Sequence, residues 1–275
     1  MSAMKTRIGV VAPGCPIDEA VAERVTARAE ALYGTAVELA FHPQCFVEAG
    51  HFAGSDCVRE AAFVEMANDP HLDAIWFARG GYGACRISQG AIGRLTDDAR
   101  AKAYLGYSDA GTLLGGLYGH GIGAVAHGPM PVDIRRAGGE AAVDRALRWL
   151  VDRDPASLES GLTDAPAAAF NMTILSMLIG TPLQPDLAGH ILLLEEVAEY
   201  HYRVDRTLCH IMSNPAIRAV AGIRFGRISD VIPNDRPFGQ EVEEIAAHWC
   251  HVSGIAHLGS ADIGHDADNR VVPFG

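Results

Sequence analysis

The chain of 275 residues allows one large α/β domain or two smaller ones, and a composition of 49% hydrophobic and 20% charged residues is that of a globular chain and not a disordered one. Its 22 Lys+Arg against 34 Asp+Glu give a formal net charge of −12 with no basic stripe, so neither nucleic acid nor an anionic membrane is an expected partner. No apolar run approaches membrane-spanning length, the run after Arg7 is too short for a signal sequence, and the cysteines form no C-x-x-C pair, which together predict a cytoplasmic protein with reduced thiols.

The first half alternates short apolar runs with amphipathic stretches. Residues 8–13 read as a strand entering a turn, 18–33 as an Ala- and Glu-rich helix, and 36–40 as a second strand. Residues 55–67 read as a helix closed by Asn68-Asp69-Pro70. A third strand, 74–78, runs into Arg79-Gly80-Gly81-Tyr82-Gly83. The short run Ala103-Tyr104-Leu105 precedes Gly106-Tyr107-Ser108-Asp109 and a helix-like segment, and 123–126 is a further strand. Apolar strands alternating with helices predict a parallel sheet covered on both faces. In such sheets the site lies at the carboxyl ends of the strands.

Residues 138–162 read as a helix plus loop connecting two halves. The second half begins with a helix at 171–179, ended by Gly180 and Pro182. A buried strand, 190–194, runs into Glu195-Glu196. A helix at 202–212, a strand at 220–225, a helix at 240–250 and a strand at 254–258 follow, then Ile263-Gly264-His265, a polar loop and a last strand at 271–272. The expected division is a first domain over 1–137, a linker over 138–165 and a second domain over 166–275.

Ser108 stands at a strand-to-helix turn, where a hydroxyl is clear of the backbone and faces a helix N-terminus. Its spacing is not G-x-S-x-G, and Ser108 or Asp109 equally suits a helix cap. A nucleophilic hydroxyl needs a base and an orienting group. His265 sits in a polar loop. Glu195 ends an apolar strand, where its charge calls for a partner: a histidine, or Arg203 or Arg206. Glu196, on the other face, is the alternative acid. The glycine turn after Arg79 offers backbone N–H groups as an oxyanion arm, a phosphate cradle without the P-loop lysine, or simply a tight turn. His248-Trp249-Cys250-His251 carries two histidines on one helix face but lacks H-E-x-x-H, so no metal is expected.

Taken in order, these segments resemble the serine LD-carboxypeptidases, the family of muramoyltetrapeptide carboxypeptidases and microcin-immunity peptidases. The resemblance rests on the opening strand, on Phe52-Ala53-Gly54-Ser55 with Arg59 and Asn68-Asp69-Pro70, and on Ala78-Arg79-Gly80-Gly81-Tyr82-Gly83 and Gly106-Tyr107-Ser108-Asp109. It continues through Leu194-Glu195-Glu196, Tyr202-Arg203-Val204-Asp205-Arg206, and Gly264-His265 with Asn269 and Pro273-Phe274-Gly275. It implies a Rossmann-like α/β first domain, a smaller α/β second domain and a homodimer. It also implies a triad of Ser108 as nucleophile, His265 as base and Glu195 as orienting acid, with the N–H groups of Asp109, Gly80 and Gly81 as oxyanion donors. No cofactor or metal is implied.

The expected reaction is hydrolysis of an L,D-amide next to the free carboxyl terminus of a cell-wall peptide. Arg79 and Arg86 are candidates for the terminal carboxylate, with Tyr82 and Asn171 as further substrate contacts. Where the family often has Gly-Gly-Asn, this chain has Ala169-Phe170-Asn171. The alternatives are cleavage of a peptidyl-nucleotide antibiotic, with His201 and Tyr202 as stacking aromatics, and a binding protein for small molecules without catalysis.

Overall fold

The computed structural model describes residues 5–275. Strands β1 (Thr6–Val11), β2 (Val37–Phe41), β3 (Ala74–Phe77), β4 (Ala103–Gly106) and β5 (Ala124–His127) are interleaved with α1 (Glu19–Tyr33), α2 (Asp56–Asn68), α3 (Ser88–Ile92), α4 (Asp97–Arg100) and α5 (Gly111–Gly119). Helix α6 (Gly139–Asp152) follows. The second half holds β6 (Ala167–Asn171), α7 (Met172–Leu178), β7 (Ile191–Val197), α8 (His201–Ser213), β8 (Gly222–Ser229), α9 (Val242–Ser253), β9 (His257–Ser260) and β10 (Val272–Pro273).

The first sheet has the order β10-β5-β4-β3-β1-β2 and the second β6-β7-β8-β9. All neighbours are parallel except β10, which runs antiparallel to β5. Strand alternation builds a core on each face of the first sheet. Ile8, Val10, Trp76 and Leu105 join one buried cluster with α1 and α6 residues such as Val25 and Leu147. Val11, Ile75, Phe77 and Tyr104 face the other side, with Phe63 of α2 and Leu113 of α5. That second cluster continues into Phe170, Leu194 and Leu208, so it is shared with the second sheet.

The helices begin where local chemistry satisfies free N–H groups. Asp18 caps α1 through Val21 N–H at 3.0 Å, and Asn171 caps α7 through Ile174 N–H at 3.2 Å. Helix α7 therefore starts at Met172, one residue later than the sequence suggested. Strand β6, with small residues in Ala167-Ala168-Ala169, carries little β signal and was not expected. Strand β7 runs on to Val197, so Glu195 and Glu196 lie inside it and face opposite sides.

The stretch 138–165 opens with α6, which packs on the first sheet, and continues to Glu159, which pairs with Arg224 of β8. Helix α6 buries Val143, Ala146, Leu147, Trp149 and Leu150 against the first sheet. Strand β10 adds the end of the chain to that sheet, pairing Val272 with His127. This return brings the loop before β10 to the carboxyl ends of β4 and β5. Among the described residues no helix is long and apolar enough to cross a membrane, and no group of three or more His, Cys, Asp or Glu is arranged to hold a metal ion.

Candidate active site

Ser108 follows β4 in a left-handed backbone conformation, with φ 57°. For a residue with a Cβ this costs about 1–3 kcal/mol and persists only where the surroundings enforce it. Both neighbours do so. Tyr107 is buried and donates its hydroxyl to Asp133 Oδ1 at 2.8 Å. Asp109 is buried and accepts Ala84 N–H at 2.9 Å. Burial pushes the Asp109 carboxyl above its ordinary range, against the pull of the backbone donors at Ala84 and Gly83. Helix α5 begins just beyond, placing its N-terminus behind the hydroxyl.

The Arg79–Gly83 turn packs directly on this serine. A Cβ on Gly80 would stand 2.9 Å from Ser108 Cβ and 3.0 Å from its Oγ. Gly81 has φ 106°, and a Cβ there would stand 2.4 Å from Cys15 Sγ. Only glycine allows that backbone and that approach. Arg59, fully buried, ties the turn to the exit of β1 by donating to Gly83 O at 2.8 Å and to Pro13 O.

Three distant segments meet at His265. Its Nε2 lies 3.0 Å from Ser108 Oγ, and its Nδ1 lies 2.7 Å from Glu195 Oε2. Because a carboxylate only accepts, Nδ1 carries the proton and Nε2 is left to accept the serine hydroxyl. Glu195 is 0% exposed, and its Oε1 is buried without a partner among the described residues. Burial lowers the His265 pKa, but the hydrogen bond and charge of Glu195 outweigh it and hold the value above the ordinary one. The Tyr107 ring, 4.9 Å from the imidazole between centroids, supports it from the side. This geometry suits a hydroxyl nucleophile whose proton is removed as it attacks.

The rival partners for Glu195 are engaged elsewhere. Arg203 pairs with Glu199 at 3.5 Å, and Arg206 lies over the Tyr202 ring. Glu196 points to the opposite face, where it accepts Asn171 Nδ2 at 2.6 Å and Thr173 Oγ1 at 2.8 Å. Burial pushes its carboxyl above the ordinary range despite those donors.

A cavity of about 450 Å³ opens in front of Ser108 and His265. Of the sequence candidates, Arg79, Gly80 and Gly81 line it. Tyr82 is 52% exposed and leans on His51 and Phe52 outside it. Arg86 is bound to Asp56 at 2.8 Å, and Asn171 is taken up by its cap and Glu196. His201 stacks on Phe238 and Tyr202 on Tyr200, away from the cavity lining. On α9, His248 packs edge-on against Trp249.

The sequence reading missed the loop after β5. Asp133, Arg135 and Arg136 from this loop line the cavity. Arg136 is paired with Asp133 at 2.9 Å, and Arg135 with Asp18. The signal was positional: Pro129-Met130-Pro131 follows the carboxyl end of a central strand. Arg79 reaches Pro16 O at 3.3 Å and has no acidic partner among the described residues.

Comparison with known proteins gives the family of the chain. The LD-carboxypeptidase N-terminal domain matches residues 8–128, and the LD-carboxypeptidase C-terminal domain matches residues 166–275. The chain belongs to the LD-carboxypeptidase family. A murein tetrapeptide carboxypeptidase from Pseudomonas aeruginosa is 28% identical, over 98% of this chain and 91% of its own. In fold, the chain resembles muramoyltetrapeptide carboxypeptidase from Oxalobacter formigenes, with a TM-score of 0.82 at 22% identity over 98% of this chain and 93% of that one. It also resembles MccF, solved in complex with glutamyl sulfamoyl guanosine, with a TM-score of 0.80 at 17% identity over 99% and 92%. Two α/β units and a carboxypeptidase activity follow from family membership.

Proposed function

We propose that the protein is a serine-type carboxypeptidase that hydrolyses the L,D-amide next to the free carboxyl terminus of a cell-wall-derived peptide. The observation that carries this reading is the hydrogen-bonded series from Ser108 through His265 to the buried Glu195, drawn from three distant parts of the chain.

In this mechanism His265 Nε2 takes the hydroxyl proton as Ser108 Oγ attacks the scissile carbonyl. The imidazolium that forms is stabilised by Glu195. Negative charge on the carbonyl oxygen falls to the N–H groups of Asp109 and the Gly80-Gly81 turn. The imidazolium then protonates the leaving amine, the C–N bond breaks, and the terminal residue departs. Water, deprotonated by His265, attacks the acyl-enzyme and returns Ser108 to its hydroxyl form. Arg79, the cavity cation without an acidic partner among the described residues, is the receptor for the terminal carboxylate. No step requires a metal or cofactor.

The unpaired cysteines and the acidic surface suit the cytoplasm, where such peptides would be salvaged. The family resemblance implies a homodimer, which light scattering on the purified protein tests. The activity is tested with two tetrapeptides that differ only in the chirality of the last residue. Release of the terminal residue from the L,D form and not the L,L form is expected. Equal release from both would overturn the L,D assignment.

A further inference from the structure

His265 is held by more than Glu195. The preceding residue, Gly264, donates its N–H to Asn269 Oδ1 at 3.2 Å. The same oxygen lies 3.0 Å from His127 Nε2. Asn269 is 0% exposed and His127 1%. Asn269 also shapes the loop through its backbone: its N–H reaches Asp266 O at 3.3 Å, and its carbonyl accepts from Arg145 of α6 at 2.7 Å.

We propose that Asn269, held in turn by His127, is a positioning residue that sets where the His265 imidazole stands between Ser108 and Glu195. An amide oxygen has two lone pairs, so Oδ1 serves both donors at once. His127 closes β5, the strand next to β4, and β4 leads to Ser108. The bond therefore references the loop that carries the base to the sheet that carries the nucleophile. Burial holds the His127 pKa down to about 4, against the pull of the Glu195 charge, so its ring is neutral and donates from Nε2. A base within hydrogen-bond reach of its nucleophile loses about 100-fold in rate from a misplacement near 1 Å. Loss of the tether acts on that placement, with no contact to substrate.

The inference rests on the triad reading proposed above, and the two are tested together. Terminal-residue release is measured for the wild type and for Ser108→Ala, Asn269→Leu, Asn269→Asp, His127→Leu and His127→Gln. Asn269→Leu, which removes the acceptor, is expected to lower kcat by about 10–100-fold with KM within about twofold. Asn269→Asp keeps the acceptor and is expected to restore kcat to within about fivefold of wild type. Should Asn269→Leu fail to fold, His127 decides. His127→Leu then lowers kcat and His127→Gln, which keeps an N–H donor, restores it. Wild-type kcat in both leucine variants, or no recovery in both conservative ones, overturns the inference while an inactive Ser108→Ala leaves the triad standing. Undiminished turnover by Ser108→Ala sinks the triad and the inference with it.

Discussion

Gly80 lies against Ser108 so closely that a methyl group in its place would sit 2.9 Å from the serine Cβ and 3.0 Å from Oγ. The contact links the glycine turn to the proposed nucleophile, and Ser108 cannot retreat because its own left-handed backbone is fixed by Tyr107 and Asp109. Gly80→Ala must displace the turn. A kcat lowered by about 100-fold or more is expected, with a much smaller change in melting temperature. Steady-state kinetics beside thermal unfolding check this, and a variant with wild-type kcat would deny the contact its role.

Glu195 sets the pH dependence. In the proposed mechanism the acting base is neutral His265, so activity is expected to rise as pH climbs through its pKa. Burial lowers that pKa, but Glu195 more than compensates, and the acidic limb of kcat/KM is expected above the ordinary histidine value. In Glu195→Gln the compensation is gone and burial remains. The limb should move to lower pH, and kcat should fall by about 10⁴ as the wrong tautomer is favoured. The sign for stability is opposite: the raised His265 pKa adds stability below the unfolded value, and that stability is lost as pH rises through the folded one, while activity appears. Rates between pH 5 and 9 test the shift, and an unmoved limb contradicts it.

Arg79 is predicted to hold the terminal carboxylate. Arg79→Ala should raise KM by about 10–100-fold for a peptide with a free terminus, the loss of a charge-assisted bond. The same variant should match wild type on the C-terminally amidated peptide. Equal losses on both peptides would assign Arg79 a structural role in place of substrate binding.

Glu196 is a structural acid. Its carboxylate accepts from Asn171, from the backbone and hydroxyl of Thr173, and from Val197 N–H. Glu196→Ala leaves the buried Asn171 amide and the partly buried donors of Thr173 and Val197 without their acceptor and should cost about 1–3 kcal/mol in denaturant unfolding. Remaining folded protein should keep near-normal kcat, because the opposite face of β7 carries Glu195. A stable but inactive variant would put Glu196 in the catalytic machinery.

The alternation of apolar strands and capped helices made the first sheet legible: Asp18 and Ser55 begin helices where the sequence placed them. Strand β6 was hidden because alanines pack well between β7 and β10 without any preference for extended backbone. A last strand was legible at 271–272, but its return to β5 was not, since a two-residue strand carries no sign of its partner, yet that pairing is what delivers His265 to Ser108. Of the site, the positions of Ser108, Glu195 and His265 were readable as chemistry at strand ends and in a loop. Their meeting was legible only through the family resemblance, because contacts spanning the whole chain leave no local pattern. Arg86 and Asn171 were attractive by type, but Asp56 and Glu196 claim them first. Asp133 and Arg136 lacked any motif beyond their place after a central strand.

Ser108 is the proposed nucleophile on which the carboxypeptidase mechanism depends. The most direct measurement is release of the terminal D-residue from an L,D-tetrapeptide by the wild type and by Ser108→Ala, at matched concentration and pH. Turnover by the wild type is expected, with a loss of about 10⁴ or more in the variant and only residual catalysis from the oxyanion donors. Turnover that survives the substitution would contradict that role for Ser108.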